Sequence, residues 1–271
     1  MLVIFSGCSG VGKNTIINDL LSKSDEYKLL PTYTTRDKRP GEKDGAPYFF
    51  INDEQFLEKI AKGDFYEHEI VHNHYYGTSR QLLSDGIASG KTLMKDIDVN
   101  GALNLSEILK NDVKIITLFL YVESADILIE RLTGRGEKDI ALRLERYNHE
   151  MSKQKLYSYL INNNSLENTS KLVDELVKLE KSSGKLVSAL GENEISVEAV
   201  KDAISVYAAG EIPDPVKVCV YDGVFCITEG VERYIASVIC DKLIAKDLVL
   251  SENALNAAKD FDIYGYAKKF S

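Results

Sequence analysis

The chain opens on an apolar run, Leu2-Val3-Ile4-Phe5, and then turns into glycines. A short continuous apolar run bounded by a turn signal predicts a buried strand over residues 2–6. Ile16, Ile17, Leu20 and Leu21 follow at helical spacing and predict a helix behind the glycine loop. Between residues 30 and 90 the pattern breaks into turns, Pro40-Gly41 and Asp44-Gly45, and aromatic runs such as Tyr48-Phe49-Phe50-Ile51. That predicts a small sheet inserted before the next core strand. Residues 92–98 and 115–122 read as further strands, 124–159 as charged and largely helical, 160–162 as a short strand and about 169–181 as a helix. Strands alternating with helices predict an α/β fold whose parallel sheet is covered on both faces. The small polar stretch Ser182-Ser183-Gly184-Lys185 then marks a boundary, with a linker at 183–186. Beyond it, signals for a helix (about 196–208), two strands (about 216–221 and 224–228) and a helix (about 230–243) predict a second, small α+β domain over 187–271.

Composition acts by exclusion. With 44% hydrophobic and 28% charged residues in 271, the usage is that of one or two globular domains rather than a disordered or fibrous chain. No apolar run approaches the length of a membrane span, so no membrane partner is expected. The start carries neither a basic n-region nor a small-residue cleavage site, so no secretory signal is expected. Cys8, Cys219, Cys226 and Cys240 are scattered without a C-x-x-C pair, which argues against a disulfide scaffold or zinc site and for a cytoplasmic protein. The net charge of −9 lacks the Lys and Arg surplus that phosphate-backbone binding demands, so nucleic acid is disfavoured as a partner. Pairing with a second copy of the chain is left open.

Gly7-Cys8-Ser9-Gly10-Val11-Gly12-Lys13-Asn14-Thr15 lies between a predicted strand and a predicted helix, the context a phosphate loop requires. Glycines let successive backbone N–H groups turn inward around a phosphate, and the helix N-terminus adds partial positive charge. Lys13 supplies a mobile full charge for terminal phosphates. Asn14 stands where Ser or Thr would offer a hydroxyl to Mg²⁺; its amide oxygen is still a hard ligand, and Thr15 follows. Downstream, Arg36 and Arg39 lie three apart with Tyr48 beyond them. Forked guanidiniums and a phenol suit a bidentate phosphate, although a solvated turn with charge pairs fits the segment in isolation.

The phosphate loop, T-T-R-x-x-R-x-G-E-x-x-G-x-x-Y over residues 34–48, E-x₈-Y-G-T over 67–78 and Asp96-Ile97-Asp98 together resemble the guanylate kinase family across residues 1 to about 182. The resemblance implies a P-loop nucleoside monophosphate kinase fold: a parallel sheet core, a GMP-binding mixed β subdomain at about 32–90 and a helical lid at about 124–155. It implies phosphorylation of GMP by ATP with Mg²⁺, with dGMP as a second acceptor. Arg36, Arg39, Tyr48 and Tyr76 would hold the acceptor phosphate; Thr32, Glu67, Thr78 and Asp98 would line the guanine pocket. Thr32 and Thr78 stand where serine is common, and both keep a hydroxyl. A carboxylate such as Glu67 can accept from N1–H and the 2-amino group of guanine together, which adenine cannot offer on that edge. Alternation along a strand puts Asp96 and Asp98 on one face, with Asp96 toward the metal; a strand-end aspartate capping a loop is the other reading of Asp96.

The resemblance also implies a lid that closes over ATP and brings arginines to the migrating phosphoryl group. Arg131, Arg135, Arg143 and Arg146 occupy that region, whose spacing is about three residues short of the family's, and Arg135 and Arg143 are the expected catalytic pair. An exposed, charge-laced helix is the alternative for any one of them. Asn163 matches an asparagine common after the last core strand, and equally suits a turn. A catalytically weak binding module is the alternative to an enzyme, though such modules usually lose the phosphate loop and Lys13 is intact here; a modified nucleoside monophosphate is the alternative acceptor. In the last third, Glu229, Gly230, Arg233 and Ala236 match the [DE]-G-x-x-R-x-x-A signature of the ParB/sulfiredoxin-like fold, which implies a second phosphate site at Gly230 and Arg233. Val231 stands where sulfiredoxin chemistry needs cysteine.

Overall fold

The N-terminal apolar run is strand β1 (Leu2–Gly7), with Leu2, Val3, Ile4 and Phe5 fully buried. The computed structural model describes residues 1–39, 41–71, 73–134 and 140–270, with backbone alone for 141–143. Two compact units emerge: Met1–Ser6 with Lys13–Thr117, and Gly7–Gly12 with the chain from Leu118 onward.

In the first unit β1 leads by way of the loop to α1 (Lys13–Lys23), which buries Ile16, Ile17 and Leu20 at the predicted period. Strands β2 (Tyr27–Leu29) and β3 (Thr32–Thr34) follow, then β4 (Lys43–Asp44) and β5 (Pro47–Phe50). Helix α2 (Asp53–Ala61) starts at Asn52, which accepts from the Gln55 backbone while the Gln55 side chain returns to the Asn52 N–H. This capping box satisfies two orphan donors and fixes where the helix begins. Next come β6 (Phe65–Val71), β7 (His74–Ser79), α3 (Arg80–Ala88), β8 (Thr92–Asp96) and α4 (Val99–Leu109). Strands β2, β8 and β1 run side by side and parallel, while α1 and α3 pack against β8.

Among the described residues, β4, β5, β3, β7 and β6 form a second, mixed sheet in that order. Its period of two separates two jobs. Tyr33, Phe49, Tyr75 and Gly77 share one face by register, where Tyr33 stacks on Phe49 at 5.1 Å and Phe56 of α2 stacks on Tyr75 at 5.2 Å and on Phe65 at 4.6 Å. A Cβ at Gly77 would meet the Phe56 ring at 2.9 Å, so this aromatic layer closes only over glycine. The opposite face carries Thr32, Thr34, Tyr48, Phe50, Glu67, Tyr76 and Thr78, paired across strands in register.

The second unit contains β9 (Ile115–Tyr121), α5 (Ala125–Gly134), α6 (Ile140–Ser152), β10 (Tyr159–Asn162) and α7 (Leu166–Lys181). Beyond these lie β11 (Val187–Ser188), α8 (Val197–Ala208), β12 (Val216–Tyr221), β13 (Val224–Glu229), α9 (Val231–Cys240), β14 (Lys246–Leu250), α10 (Asn253–Ala257) and α11 (Ile263–Ala267). The strand order is β11-β13-β12-β14-β10-β9.

The division expected at 183–186 differs from the one the structure makes. Strand β14 pairs parallel with β10, placing Leu160 opposite Asp247, and Tyr121 Oη donates to both carboxylate oxygens of Asp247 at 3.0 and 3.1 Å. The last third therefore extends the sheet of β9 and β10 instead of standing off on a linker. Strand β14 escapes sequence reading because Lys246 and Asp247 open a run of only five residues.

Candidate functional site

The loop after β1 winds in a way that glycine alone permits. Gly7 has φ +124, and a Cβ there would lie 2.0 Å from the Leu120 carbonyl oxygen. Gly12 has φ +104, and a Cβ would lie 2.7 Å from Asn163 Nδ2. That close approach is functional packing, because Asn163 Nδ2 donates to the Val11 carbonyl at 2.7 Å and Asn163 Oδ1 accepts from Thr169 Oγ1 at 2.9 Å. Arg131 completes the brace, with Nη1 to Val11 O at 3.1 Å and Nη2 to Asn163 O at 2.9 Å. Gly10 also has positive φ, beside Leu132, while Ser9 is half-buried and Val11 fully buried.

Asn163 is thus a buried strut under the loop and no mere turn residue, and Arg131 holds loop carbonyls from α5. The arginines favoured from sequence, Arg135 and the Arg143 side chain, lie outside the described residues. Arg146 reaches Glu150 at 3.9 Å.

Lys13 opens α1 with its side chain 15% exposed, 3.9 Å from Asp96 Oδ1. Asn14 and Thr15 are exposed on the first turn. Burial raises the Asp96 carboxyl above its ordinary range, against the pull of Lys13 and Lys95. Among the described residues no group of three or more His, Cys, Asp or Glu could by itself hold a metal. The oxygens of Asn14 and Asp96 are nevertheless the hard, sparse donor set that Mg²⁺ accepts when phosphates and water complete its shell.

Arg36 is positioned by four interactions. Nη1 and Nη2 form a fork with Glu42 at 3.0 and 2.8 Å, Nη1 also donates to Asp37 O at 2.6 Å, and the guanidinium lies over Tyr48 and Phe50 at 5.1 and 5.3 Å. These bonds use three of its five N–H donors. The remaining two, on Nε and Nη2, point along one edge of the plane, the side-on geometry that takes two oxygens of a phosphate. Glu42 also accepts from the Arg39 backbone N–H at 2.8 Å, so one carboxylate organises both arginines; the Arg39 side chain is exposed. Bonds to Arg36 and Arg39 hold the Glu42 carboxyl below its usual range. Tyr48 and Tyr76 meet edge to face at 6.0 Å, and burial together with Asp96 keeps the Tyr48 phenol protonated.

Farther along the same sheet face lies a polar pocket wall. Thr78, fully buried, donates from Oγ1 to Glu67 Oε1, and burial raises the Glu67 carboxyl while Lys95 opposes the rise. Thr32, 5% exposed, accepts at Oγ1 from Lys95 Nζ at 2.7 Å. Strand β8 ends at Asp96, so the alternation expected through Asp98 stops there. Asp98 instead caps α4, with Oδ1 accepting from the Asn100 and Gly101 N–H groups at 2.9 and 3.2 Å.

Two of these residues carried no role in the sequence reading. Glu42 gave a signal, an acid three residues after Arg39. Lys95 gave another, a lone charge inside an apolar strand, since lysine is almost never fully buried without a partner.

Gly230 precedes α9 with φ +80, and Arg233 folds back over it; a Cβ at Gly230 would lie 2.5 Å from Arg233 Nη2. Arg233 Nη2 donates to Pro215 O at 3.1 Å, so the guanidinium expected to meet a phosphate is turned onto the preceding loop. No described helix is long and apolar enough to cross a membrane.

Comparison with known proteins agrees on the first two thirds. The family model described as guanylate kinase matches residues 1–180. A guanylate kinase of Thermotoga maritima is 37% identical over 185 residues, covering 66% of this chain and 87% of that protein. One of Chlorobium chlorochromatii is 40% identical over 168 residues, covering 61% and 87%. The crystal structure of guanylate kinase from Anaplasma phagocytophilum superposes with a TM-score of 0.55 at 28% identity, covering 66% of this chain and 85% of that one.

Proposed function

Because the chain belongs to the guanylate kinase family, we propose that it transfers the γ-phosphoryl group of ATP to GMP, giving ADP and GDP. The observation that carries the acceptor assignment is the half-buried Glu67 carboxylate held by Thr78 on the sheet face that also bears Tyr48 and Tyr76. An ionised carboxylate accepts at two oxygens, which suits the N1–H and 2-amino donors of guanine. Thr32 and Asp98, whose Oδ2 takes no part in the α4 cap, complete the base site.

The free edge of Arg36, with Arg39, Tyr48 and Tyr76, takes the acceptor phosphate. An oxygen of that phosphate attacks the γ-phosphorus as the bond to the β–γ bridging oxygen breaks and the electron pair leaves with ADP. No general base is required, because the nucleophile is already largely ionised at neutral pH. The protein's work is positioning and charge neutralisation. Lys13 and backbone N–H groups of the glycine loop hold the donor phosphates, and Asn163 with Arg131 braces the Val11 carbonyl of that loop. Asn14 and Asp96 would hold Mg²⁺, which would supply Lewis-acid stabilisation of the transferring group. Among the described residues none is assigned to a ribose 2′-hydroxyl, and dGMP is included as a second acceptor in this proposal.

The test is diphosphate formation by the full chain with MgATP and GMP, dGMP, AMP, CMP or UMP. GDP and dGDP are expected. Turnover confined to another monophosphate, or to none, overturns the proposal.

A further inference from the structure

Lys95 is the one feature of the base pocket for which binding of GMP as described above has no use. It lies at 0% exposure in β8, and among the described residues its ammonium makes one hydrogen bond, to Thr32 Oγ1 at 2.7 Å. Glu67, Asp96 and Asp98 all act on its charge. Burying an ammonium costs several kcal/mol unless its surroundings compensate, so a lysine here is not a neutral choice within an apolar strand.

The bond to Thr32 has a consequence for the hydroxyl. An ammonium has three donors and no acceptor. Lys95 therefore occupies a lone pair of Thr32 Oγ1, and the Thr32 hydrogen cannot point at Lys95. No acceptor among the described residues takes that hydrogen, and Thr32 shares a sheet face with Tyr48 and Tyr76. The hydroxyl is left as a donor of fixed sense on the pocket side.

We propose that Lys95 is a specificity-positioning residue: by fixing Thr32 as a donor, it makes the pocket demand an acceptor at position 6 of the purine. The carboxylate of Glu67 reads donors at N1 and the 2-amino group; the Thr32 hydroxyl reads the 6-oxo group. A 6-amino purine would set donor against donor and leave the buried hydroxyl unpaired, which costs more than the bond itself would have gained. The inference rests on the GMP-kinase reading above.

The test compares GMP with 6-thioguanosine monophosphate, which keeps N1–H and the 2-amino group but offers sulfur, a poor acceptor, at position 6. The full chain should favour GMP in kcat/KM by about tenfold or more. Lys95→Met and Thr32→Val should each bring that ratio toward one, Thr32→Ser should preserve it, and the double variant should fall no further than either single one. A merely structural role would lower activity on both acceptors and leave the ratio intact, and that outcome overturns the inference. Should Lys95→Met fail to fold, judged by circular dichroism, Lys95→Leu takes its place: it too removes the ammonium from Thr32, the ratio should again move toward one, and an unchanged ratio overturns the inference. Absence of GMP turnover by the unsubstituted chain would instead overturn the underlying reading, and this inference with it.

Discussion

Replacing Glu42 by glutamine tests whether the acceptor phosphate is met by an arginine aimed in advance. Glu42 takes two N–H groups of Arg36 and the backbone N–H of Arg39, and the Arg36 and Glu42 side chains are only 13% and 20% exposed. Glutamine keeps one acceptor oxygen but sets an NH₂ against the second arm of the guanidinium and removes the charge. A charge-assisted hydrogen bond in a partly shielded site contributes about 1.5–3 kcal/mol, and exposure brings this fork toward the lower figure. Arg36 would then sample orientations in which Nε and Nη2 no longer share an edge toward the phosphate. A loss of about 1.5 kcal/mol raises the KM for GMP by roughly tenfold. At saturating GMP the complex still forms, so kcat should fall by no more than about threefold. Steady-state kinetics with GMP varied at saturating MgATP separates the two. An unchanged or lowered KM would refute the reasoning, since Glu42 would then be a competitor for Arg36 rather than its support.

Further outcomes follow from the same geometry. Asn163→Ala removes the bond to the Val11 carbonyl inside a buried brace and should raise the KM for ATP by roughly tenfold or more with little change for GMP; equal effects on both substrates would contradict the brace. Gly12→Ala places a Cβ 2.7 Å from Asn163 Nδ2 at φ +104, so ATP binding, read by calorimetry, should be lost in a chain whose far-ultraviolet spectrum is unchanged. Burial raises the Glu67 carboxyl, and only its ionised form accepts two hydrogen bonds. Log kcat/KM for GMP should therefore decline on acidification from above the ordinary carboxylate range, and Glu67→Gln should abolish that limb; a persisting limb assigns it elsewhere.

The elements were legible where periodicity is strong. Strand β1 and α1 follow directly from Leu2–Phe5 and from Ile16, Ile17 and Leu20, because a buried strand and an amphipathic helix leave unmistakable patterns. The face of the mixed sheet bearing Tyr48, Glu67, Tyr76 and Thr78 was legible through its motif spacing, whereas its aromatic reverse face, built on Tyr33, Phe49, Phe56 and Gly77, was not. What failed were contacts that sequence distance conceals. Arg131 and Asn163 are 32 residues apart and meet under a loop 120 residues earlier than Arg131. The Lys95–Thr32 bond spans 63 positions. Asp98 left the strand face because capping α4 satisfied two orphan N–H groups, a local demand that overrides alternation. The pairing of β14 with β10 was not legible, because β14 is too short and too charged at its start to announce it.

The most direct test of the central claim is the ratio of kcat/KM for GMP to that for AMP, measured with MgATP on the full chain and on Glu67→Gln. A half-buried carboxylate that base donors shield from water and must satisfy should give a ratio of about 10⁴ or more, falling by at least about a hundredfold in the variant. A ratio near one, or one that Glu67→Gln leaves intact, would contradict the assignment of this pocket to guanine.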